Sequence, residues 1–322
     1  MNLAIEEQEM DFNRKTNKRI LEEKTEYQMT YLSFPMLDET NIVKTAFSTR
    51  MGGASKGCFG EANFSYTRGD IKENVDENYR IMSKIFGYNG SLDNFVTTYQ
   101  THTANVRRVT EDDRGKGVCK LRDYVDVDGL ITNLKDVILV TFHADCPPVY
   151  FVDPVNKAIG LSHSGWKGTV SRIGTKTVLA MVQEFGTNPK DLLCAIGPSI
   201  CADCYEVSVD VADRFIEEFG LTYSNEMLSE DQVCDCNKIY QCEQGISLEK
   251  GDRKHQILWK KSDGKFQLNL WAAIEKTLIE AGVSKENIFT TDICTKCNSD
   301  LLFSHRVMGD KRGNLAAFIA LK

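Results

Sequence analysis

Residues 137–170 read VILVTFHADCPPVYFVDPVNKAIGLSHSGWKGTV, and this stretch decides the fold. Apolar, β-branched runs at 137–142 and 149–152 predict two strands, and a third strand at 158–161 follows the turn-forming segment DPVNK. Hairpins interspersed with helices predict a mixed α/β (α+β) sheet protein. A doubly wound nucleotide-binding sheet is not expected, because no GxGxxG motif opens a βαβ unit.

Further regular elements extend outward from this centre. Apolar runs predict additional strands at 42–48, 94–99, 106–109, 192–196 and 315–321. Apolar residues at helical spacing predict helices at 73–86, 169–185, about 208–219 and about 270–281. Thr169 is placed to cap the second of these helices.

The chain is predicted to form one domain over residues 29–322. Residues 1–28 are polar and weakly periodic, which predicts an N-terminal extension that is either one exposed helix or a disordered arm. A polar, irregular segment at about 223–265 interrupts the domain as an insertion.

Composition narrows the class of protein. The 322 residues are 42% hydrophobic, which is enough for a substantial core. The net charge of -7 argues against a nucleic-acid-binding surface, and no apolar run is long enough to span a membrane. The charged N-terminus lacks the apolar core of a signal peptide, so a cytoplasmic location is expected, with the 11 cysteines mostly reduced.

Two reactive side chains flank the central hairpin at its open end: Cys146 precedes its first strand and His163 follows its second. If the turn centres near Val155, position 147 faces His163 in the antiparallel register, which brings Cys146 beside His163. Two interpretations are open: a metal site, or a Cys146 thiolate nucleophile with His163 as its base. The alternative is that neither residue takes part in chemistry, and that they are a buried thiol and a solvated imidazole. His102, in QTHTANV, is a third candidate ligand whose convergence is a hypothesis.

Four other cysteines form two CxxC pairs. Cys201 and Cys204 follow one predicted strand, and Cys294 and Cys297 lie about ninety residues further along the chain. The spacing is compatible with a structural Cys₄ zinc site. The default interpretation is that they are thiols of the core or of loops.

Several motifs together resemble the YfiH-like family, whose members also carry the label laccase domain or multicopper polyphenol oxidase. The motifs are FSTRMGGASKG, QTHTANV, DVDGLIT, ADCPPV, SHSGWKGTV, IGPSICADCYEV and FSHR, in that order. The resemblance implies a layered α/β/β/α fold and a purine nucleoside phosphorylase acting on purine nucleosides and phosphate. It also implies possible adenosine deaminase and methylthioadenosine phosphorylase activity. The metal ligands it implies are His102, Cys146 and His163, which favours the metal interpretation, with zinc as the expected ion and copper as the alternative.

Further residues are candidates for the chemistry of phosphorolysis. Arg50, followed by two glycines, suits phosphate, and the amides of Asn63 and Gln100 suit ribose hydroxyls or a purine edge. Asp128 is expected to hold a ligand histidine through its second nitrogen or to move a proton, and Asp145 to orient its loop or contact substrate.

The sequence departs from the family pattern at two places near these candidates. His143 is either a supporting group or an alternative metal ligand. Gly313–Asn314–Leu315 replaces an expected Gly-Arg-Met, so Arg306 or Arg312 is expected to supply the missing guanidinium.

The laccase label fails on a count of histidines. A multicopper oxidase needs about ten of them for its copper centres, and this chain has five. Two competing functions stay open beside the phosphorylase. One is a peptidoglycan-editing hydrolase of a cell-wall precursor, and the other is a non-enzymatic protein that senses a purine.

Overall fold

The structure is a computed structural model that describes residues 10–16, 19–221, 256–261 and 264–322. The strands of these residues, numbered in chain order, are β1 (Glu22–Glu26), β2 (Met29–Ser33), β3 (Val43–Ser48), β4 (Phe95–Thr97), β5 (Val106–Arg108), β6 (Gly129–Thr132), β7 (Ile138–His143), β8 (Pro148–Asp153), β9 (Ala158–His163), β10 (Leu193–Ile196), β11 (Glu206–Val207), β12 (Leu258–Lys260), β13 (Phe266–Leu268), β14 (Ile288–Thr290) and β15 (Leu315–Leu321). The α-helices are α1 (Pro35–Asp38), α2 (Lys72–Ile85), α3 (Trp166–Val170), α4 (Ile173–Phe185), α5 (Val209–Phe219), α6 (Leu270–Glu280) and α7 (His305–Met308).

Two six-stranded sheets pack face to face. The first has the order β1-β2-β3-β15-β7-β4 and the second the order β14-β10-β8-β9-β6-β5, while β11, β13 and β12 form a small third sheet. The inner faces of the large sheets share one apolar core that includes Phe47, Leu139, Tyr150 and Leu161. Both sheets mix parallel and antiparallel pairs.

Helices cover the outer faces of both sheets. Tyr79 and Met82 of α2 pack against the first sheet, and Val178 of α4 and Ile274 of α6 pack against the second. The predicted mixed α/β class and the α/β/β/α layering are therefore confirmed. Among the described residues, no helix combines the length and the apolar character needed to cross a membrane.

The predicted helix over 169–185 is wrong in one respect, because it is two helices. Arg172 lies between α3 and α4 with φ of +61°, a left-handed conformation that interrupts the helical path. Its guanidinium forms ion pairs with Glu218 and Glu280, which hold the bend in place. Thr169 does not cap a helix N-terminus; it lies within α3, whose N-cap residue is Gly165.

Residues 22–26 form a strand, where we predicted an exposed helix or a disordered arm. Strand β1 pairs with β2 in an antiparallel hairpin, and Phe12 and Leu21 bury their side chains in the core. Apolar residues of this polar segment therefore contribute to the core, and its polar residues 22–26 extend the first sheet. The division of the chain at residue 28 stays a prediction.

The insertion predicted at about 223–265 lies largely outside the described residues. Its described end is not irregular, because β12 pairs with β13 in antiparallel register. The other predicted helices and strands are confirmed with shifts of at most two residues at their ends, and β15 matches the prediction at both ends.

Candidate metal centre

The hairpin of β8 and β9 brings Cys146 and His163 together, as predicted, but in a register shifted by one residue. His163, the last residue of β9, pairs with Pro148 rather than with Pro147. The shift arises because the turn contains four residues between Asp153 and Ala158, so its centre lies after Val155 and not on it. Cys146 lies two residues before β8, in the link that follows β7.

Asp128 brings the third residue, His102, to the same place. The backbone N–H groups of Thr101, His102 and Thr103 all donate to the Asp128 carboxylate, at 3.1, 3.1 and 2.9 Å. Asp128 immediately precedes β6, which pairs with β9, so the loop that carries His102 is drawn against the end of β9. His102 itself has φ of +64° in this loop.

The three side chains form a compact group with the geometry of a metal site. One ligand atom from each of His102, Cys146 and His163 lies within 4.8 Å of the other two. The imidazole rings of His102 and His163 are 4.9 Å apart, centroid to centroid, at 73°. His163 is buried, Cys146 is half-buried and His102 is exposed. Three protein ligands with one exposed side are the arrangement of a catalytic zinc site, which leaves a position for water or substrate.

Asp128 also fixes the orientation of His163. Its Oδ1 lies 2.8 Å from Nδ1 of His163, which leaves Nε2 of that ring available to a metal. The carboxylate is fully buried, and burial alone would raise its pKa. The hydrogen bond and charge of His163, together with the backbone donors, outweigh burial and lower the pKa of Asp128.

Cys146 and His163 stabilise opposite charges on each other. Burial opposes ionisation of the Cys146 thiol, but His163 and His102 lower its pKa to about 6. Burial likewise disfavours the charged His163 ring, yet the Cys146 thiolate and Asp128 raise its pKa to about 9. A thiolate at neutral pH serves either as a ligand or as a nucleophile. The third donor, His102, is what favours a metal.

Gly165 leaves the space that these three side chains need. A Cβ added at this residue would lie 2.9 Å from Sγ of Cys146 and 3.0 Å from Cδ2 of His102. Sequence reasoning did not single out this glycine, although it lies in the SHSGWKG motif. The absence of a side chain at Gly165 thus leaves room for Cys146 and His102 to approach each other.

Replacing Gly165 with alanine should therefore weaken metal binding by about tenfold to a hundredfold, the range seen when groups around a metal site are displaced. The backbone at this residue has an ordinary negative φ, so the new methyl group acts through its contacts with Cys146 and His102. Competition with a coloured chelator measures the affinity. Gly186→Ala controls for a general loss of stability, because the left-handed φ of +70° at this helix end strains the alanine although no described atom lies near its Cβ. Unchanged affinity in Gly165→Ala would contradict this account.

His143 is not a member of the group that could hold a metal. Its Nε2 lies 2.7 Å from the hydroxyl of Thr141, and its Nδ1 lies 2.9 Å from the backbone oxygen of Cys146. Burial, followed by the nearby charge of His163, lowers the pKa of His143 well below its ordinary value. The ring therefore supports the backbone of Cys146 as a neutral imidazole.

Asp145 is fixed by two distant segments of the chain. It has φ of +85°, its Oδ1 accepts from the hydroxyl of Thr295 at 2.6 Å, and its Oδ2 accepts from the backbone N–H of Arg306 at 2.7 Å. The Arg306 side chain is exposed, donates to the backbone oxygen of Glu206 at 3.1 Å and lies over the ring of Tyr205. Asp145 thus orients the link that carries Cys146.

The remaining predicted substrate residues are engaged within the protein. Arg50 donates to the backbone oxygen of Ser299 at 3.1 Å, and its guanidinium lies 5.1 Å from the centre of the Phe303 ring. The Gln100 amide bonds both the N–H and the C=O of Phe142.

Asn63 is fully buried and its amide makes four hydrogen bonds. The amide nitrogen donates to Ser65 and Asp70, and its oxygen accepts from the N–H groups of Ser65 and Asn314. These contacts give Asn63 a structural function, and its substrate contact stays a prediction, as do those of Arg50 and Gln100.

Arg312 is the guanidinium with the strongest indication of a function. It is buried, and no described residue accepts a hydrogen bond from its Nε. Burial, then the charge of Arg68, lowers the pKa of Arg312 to about 10, while the negative charges of Asp145 and Cys146 oppose that change. Its Nη1 bonds Asn314, the residue that replaces the expected arginine. The departure at 313–315 was the sequence signal for it.

Two solved structures share this architecture. YlmD from Geobacillus stearothermophilus matches with a TM-score of 0.77 and 28% identity, covering 94% of this chain and 99% of that chain. The protein YfiH from Bacillus licheniformis matches with a TM-score of 0.76 and 27% identity, covering 95% and 100%. The protein is thus a layered α/β protein of the architecture seen in YfiH and YlmD, and its own His102, Cys146 and His163 form a candidate metal centre.

The sequence assigns the family. The model of the family described as multi-copper polyphenol oxidoreductase laccase matches residues 44–246 and 236–322, so the chain belongs to this family. A relative called purine nucleoside phosphorylase YlmD, from Bacillus subtilis, is 30% identical over 87% of this chain and 89% of its own length. The protein of that name from Geobacillus stearothermophilus is 31% identical over 84% and 88%.

Proposed function

We propose that this protein is a zinc-dependent purine nucleoside phosphorylase that converts adenosine or inosine and phosphate to the free base and ribose 1-phosphate. The observation that carries the proposal is the convergence of His102, Cys146 and His163, with one side open to solvent. The names of the relatives supply the substrate class. Adenosine deamination and methylthioadenosine phosphorolysis are proposed as further activities of the same site.

The donor set suits zinc, although the description of the family names copper. Two imidazoles and a thiolate are common zinc ligands, and copper is the alternative ion for such a set. The five histidines of the chain cannot furnish a four-copper centre. His143 is engaged with Thr141 and the Cys146 backbone, and His305 bonds the backbone of Gly309.

The chain's own residues prepare the site for a substrate. A zinc ion bound there would supply Lewis acidity at an open position. Asp128 holds His163 in one orientation, and its three backbone donors hold the loop of His102. Because Asp128 and His163 are buried and the loop of His102 is already bonded, little reorganisation is needed when substrate binds.

Phosphorolysis also needs a pocket for an anion, and the contacts favour Arg312 over Arg50. The Arg50 guanidinium already bonds Ser299 and lies over Phe303. Arg312 has a buried Nε–H without an acceptor among the described residues, close enough to Cys146 for the two charges to interact. A phosphate oxygen would satisfy that donor with a charge-assisted hydrogen bond.

Incubation of the purified protein with inosine, with and without phosphate, tests the proposal. We expect hypoxanthine and ribose 1-phosphate only when phosphate is present. Release of hypoxanthine at the same rate without phosphate would indicate a hydrolase. Release of serine from a muramyl precursor would favour the peptidoglycan-editing alternative, and purine binding without any product would favour the sensor.

Arginine variants identify the phosphate ligand in the same assay. Loss of one charge-assisted contact should raise the KM for phosphate about tenfold to a hundredfold in Arg312→Gln, with the KM for inosine nearly unchanged. Arg50→Gln is the matched variant, because it removes the guanidinium that the sequence favours. A rise in phosphate KM in Arg50→Gln alone would return the role to Arg50.

A further inference from the structure

The two CxxC pairs meet in the folded chain. Strands β10 and β14 are parallel neighbours, with Ile196 opposite Thr290, so the loops that follow them leave the sheet side by side. Cys201 and Cys204 lie in the first loop, and Cys294 and Cys297 lie in the second. An isolated parallel bridge between Ser199 and Cys294 continues the pairing beyond the strands. Residues more than ninety positions apart are therefore neighbours in space.

The four sulfur atoms form a group of the size that one metal ion requires. All four Sγ atoms lie within 4.8 Å of one another, and those of Cys204 and Cys297 are 3.5 Å apart. A tetrahedron of sulfurs at about 2.3 Å from a central zinc has edges of about 3.8 Å. An iron–sulfur cluster needs more room, because several iron and sulfide atoms separate its cysteines.

The surroundings are those of a closed structural site. Cys201, Cys204 and Cys294 are buried and Cys297 is half-buried. Ile200, Tyr205 and Trp271 make apolar contacts with this group. The backbone N–H of Cys201 donates to Sγ of Cys294 at 3.3 Å, an interaction that stabilises a thiolate more than a thiol. Four cysteines without an open position are the ligand set of a structural zinc.

We propose that Cys201, Cys204, Cys294 and Cys297 bind one structural zinc ion, separate from the candidate centre at Cys146. This site has four thiolates and a closed coordination sphere, whereas the other has three ligands and an exposed side. The assignment does not depend on the reaction that the protein catalyses.

The proposed zinc would hold the loops that fix Asp145. Ile200, next to Cys201, donates its N–H to the backbone oxygen of Asp145 at 2.9 Å. Thr295, between Cys294 and Cys297, donates its hydroxyl to the carboxylate of Asp145 at 2.6 Å. Because Asp145 precedes Cys146, the structural zinc supports the link that carries the ligand cysteine of the other centre.

The same sulfur atoms could instead form disulfides, and metal analysis separates the two possibilities. We expect about two zinc ions per chain in the purified protein, about one in Cys204→Ser and about one in Cys146→Ser. Cys58→Ser replaces an exposed cysteine outside both groups and should keep both ions. Two ions retained in Cys204→Ser, or a single ion in the unaltered protein that Cys146→Ser removes, would overturn the proposal. Iron in place of zinc would overturn the choice of ion.

If Cys204→Ser does not fold, cobalt substitution of a variant that keeps all four of these cysteines identifies the ligands. The cobalt form of Cys146→Ser, which retains only the proposed Cys₄ site, should show the intense red-end visible bands and sulfur charge-transfer bands of tetrahedral thiolate ligation. Stepwise modification of the zinc form of that variant with a mercurial should release the ion only as its cysteine thiols react. A cobalt form without the sulfur charge-transfer bands would contradict the assignment. Disulfides among these cysteines, found by mass spectrometry of the unreduced protein, would contradict it as well.

Discussion

Alanine at position 146 is expected to lower kcat/KM for inosine phosphorolysis by at least about a thousandfold, the equivalent of several kcal/mol of transition-state stabilisation by a metal. The substitution removes the thiolate and leaves His102 and His163 as the two protein ligands of the candidate centre. Two neutral imidazoles hold zinc less tightly than two imidazoles and a thiolate. The ion of this centre should therefore be lost together with turnover.

Steady-state kinetics and metal analysis of the same preparation measure both effects. Cys194→Ala is the matched control, because Cys194 is a fully buried cysteine in β10 that belongs to neither cysteine-containing metal group. We expect it to keep its metal and its activity. Full turnover in Cys146→Ala after loss of the ion would refute the metal mechanism. A covalent adduct on Cys146 during turnover would instead support the nucleophile interpretation.

Asparagine at position 128 should have the second largest effect. The change keeps the shape of the side chain but removes the charge that accepts from His163, from three backbone N–H groups and from the hydroxyl of Thr103. Metal affinity and kcat/KM should each fall about tenfold to a hundredfold, as for other groups that orient a ligand histidine. The unfolding free energy should fall by about 3–5 kcal/mol, because a buried charged partner is lost.

Asp126→Asn controls for the loss of a carboxylate in the same segment. Asp126 is exposed and accepts from the hydroxyl of Thr101 through Oδ1, so its substitution should change the activity less than about twofold. Denaturant unfolding measures stability, and chelator competition measures metal affinity. If Asp128→Asn alters stability but leaves metal affinity unchanged, Asp128 supports the fold without orienting His163.

The sequence predicted the mixed α/β class because most of its strands and helices carry clear local patterns, whereas the α/β/β/α layering was implied by the resemblance to the YfiH-like family. The hairpin argument also brought Cys146 near His163, since both residues lie close to one turn. It missed the register by one residue because the length of a turn is set by backbone geometry, here the positive φ of Lys157. The bend at Arg172 was missed because the partners of its ion pairs lie on α5 and α6, far from it in the sequence.

Contacts between distant segments account for what the sequence could not predict. His102 reaches the centre through backbone bonds to Asp128, a contact that no periodicity encodes. The position of Arg312 becomes informative only once its burial is known. The two CxxC pairs were visible as motifs, but their meeting depends on the parallel pairing of β10 with β14.

The position of β15 in the first sheet has a consequence for the order of assembly. Leu315–Leu321 lies between β3 and β7, so this sheet closes only after those residues have been synthesised. Until then β3 and β7 each present an unpaired edge, the kind of surface that recruits strands from other chains. The segment that carries Cys146 leaves β7, and its supports at Thr295 and Arg306 also come late. The nascent chain therefore contains all three candidate ligands long before it can hold them in their final arrangement, and a chain shortened by this one strand would be prone to aggregate.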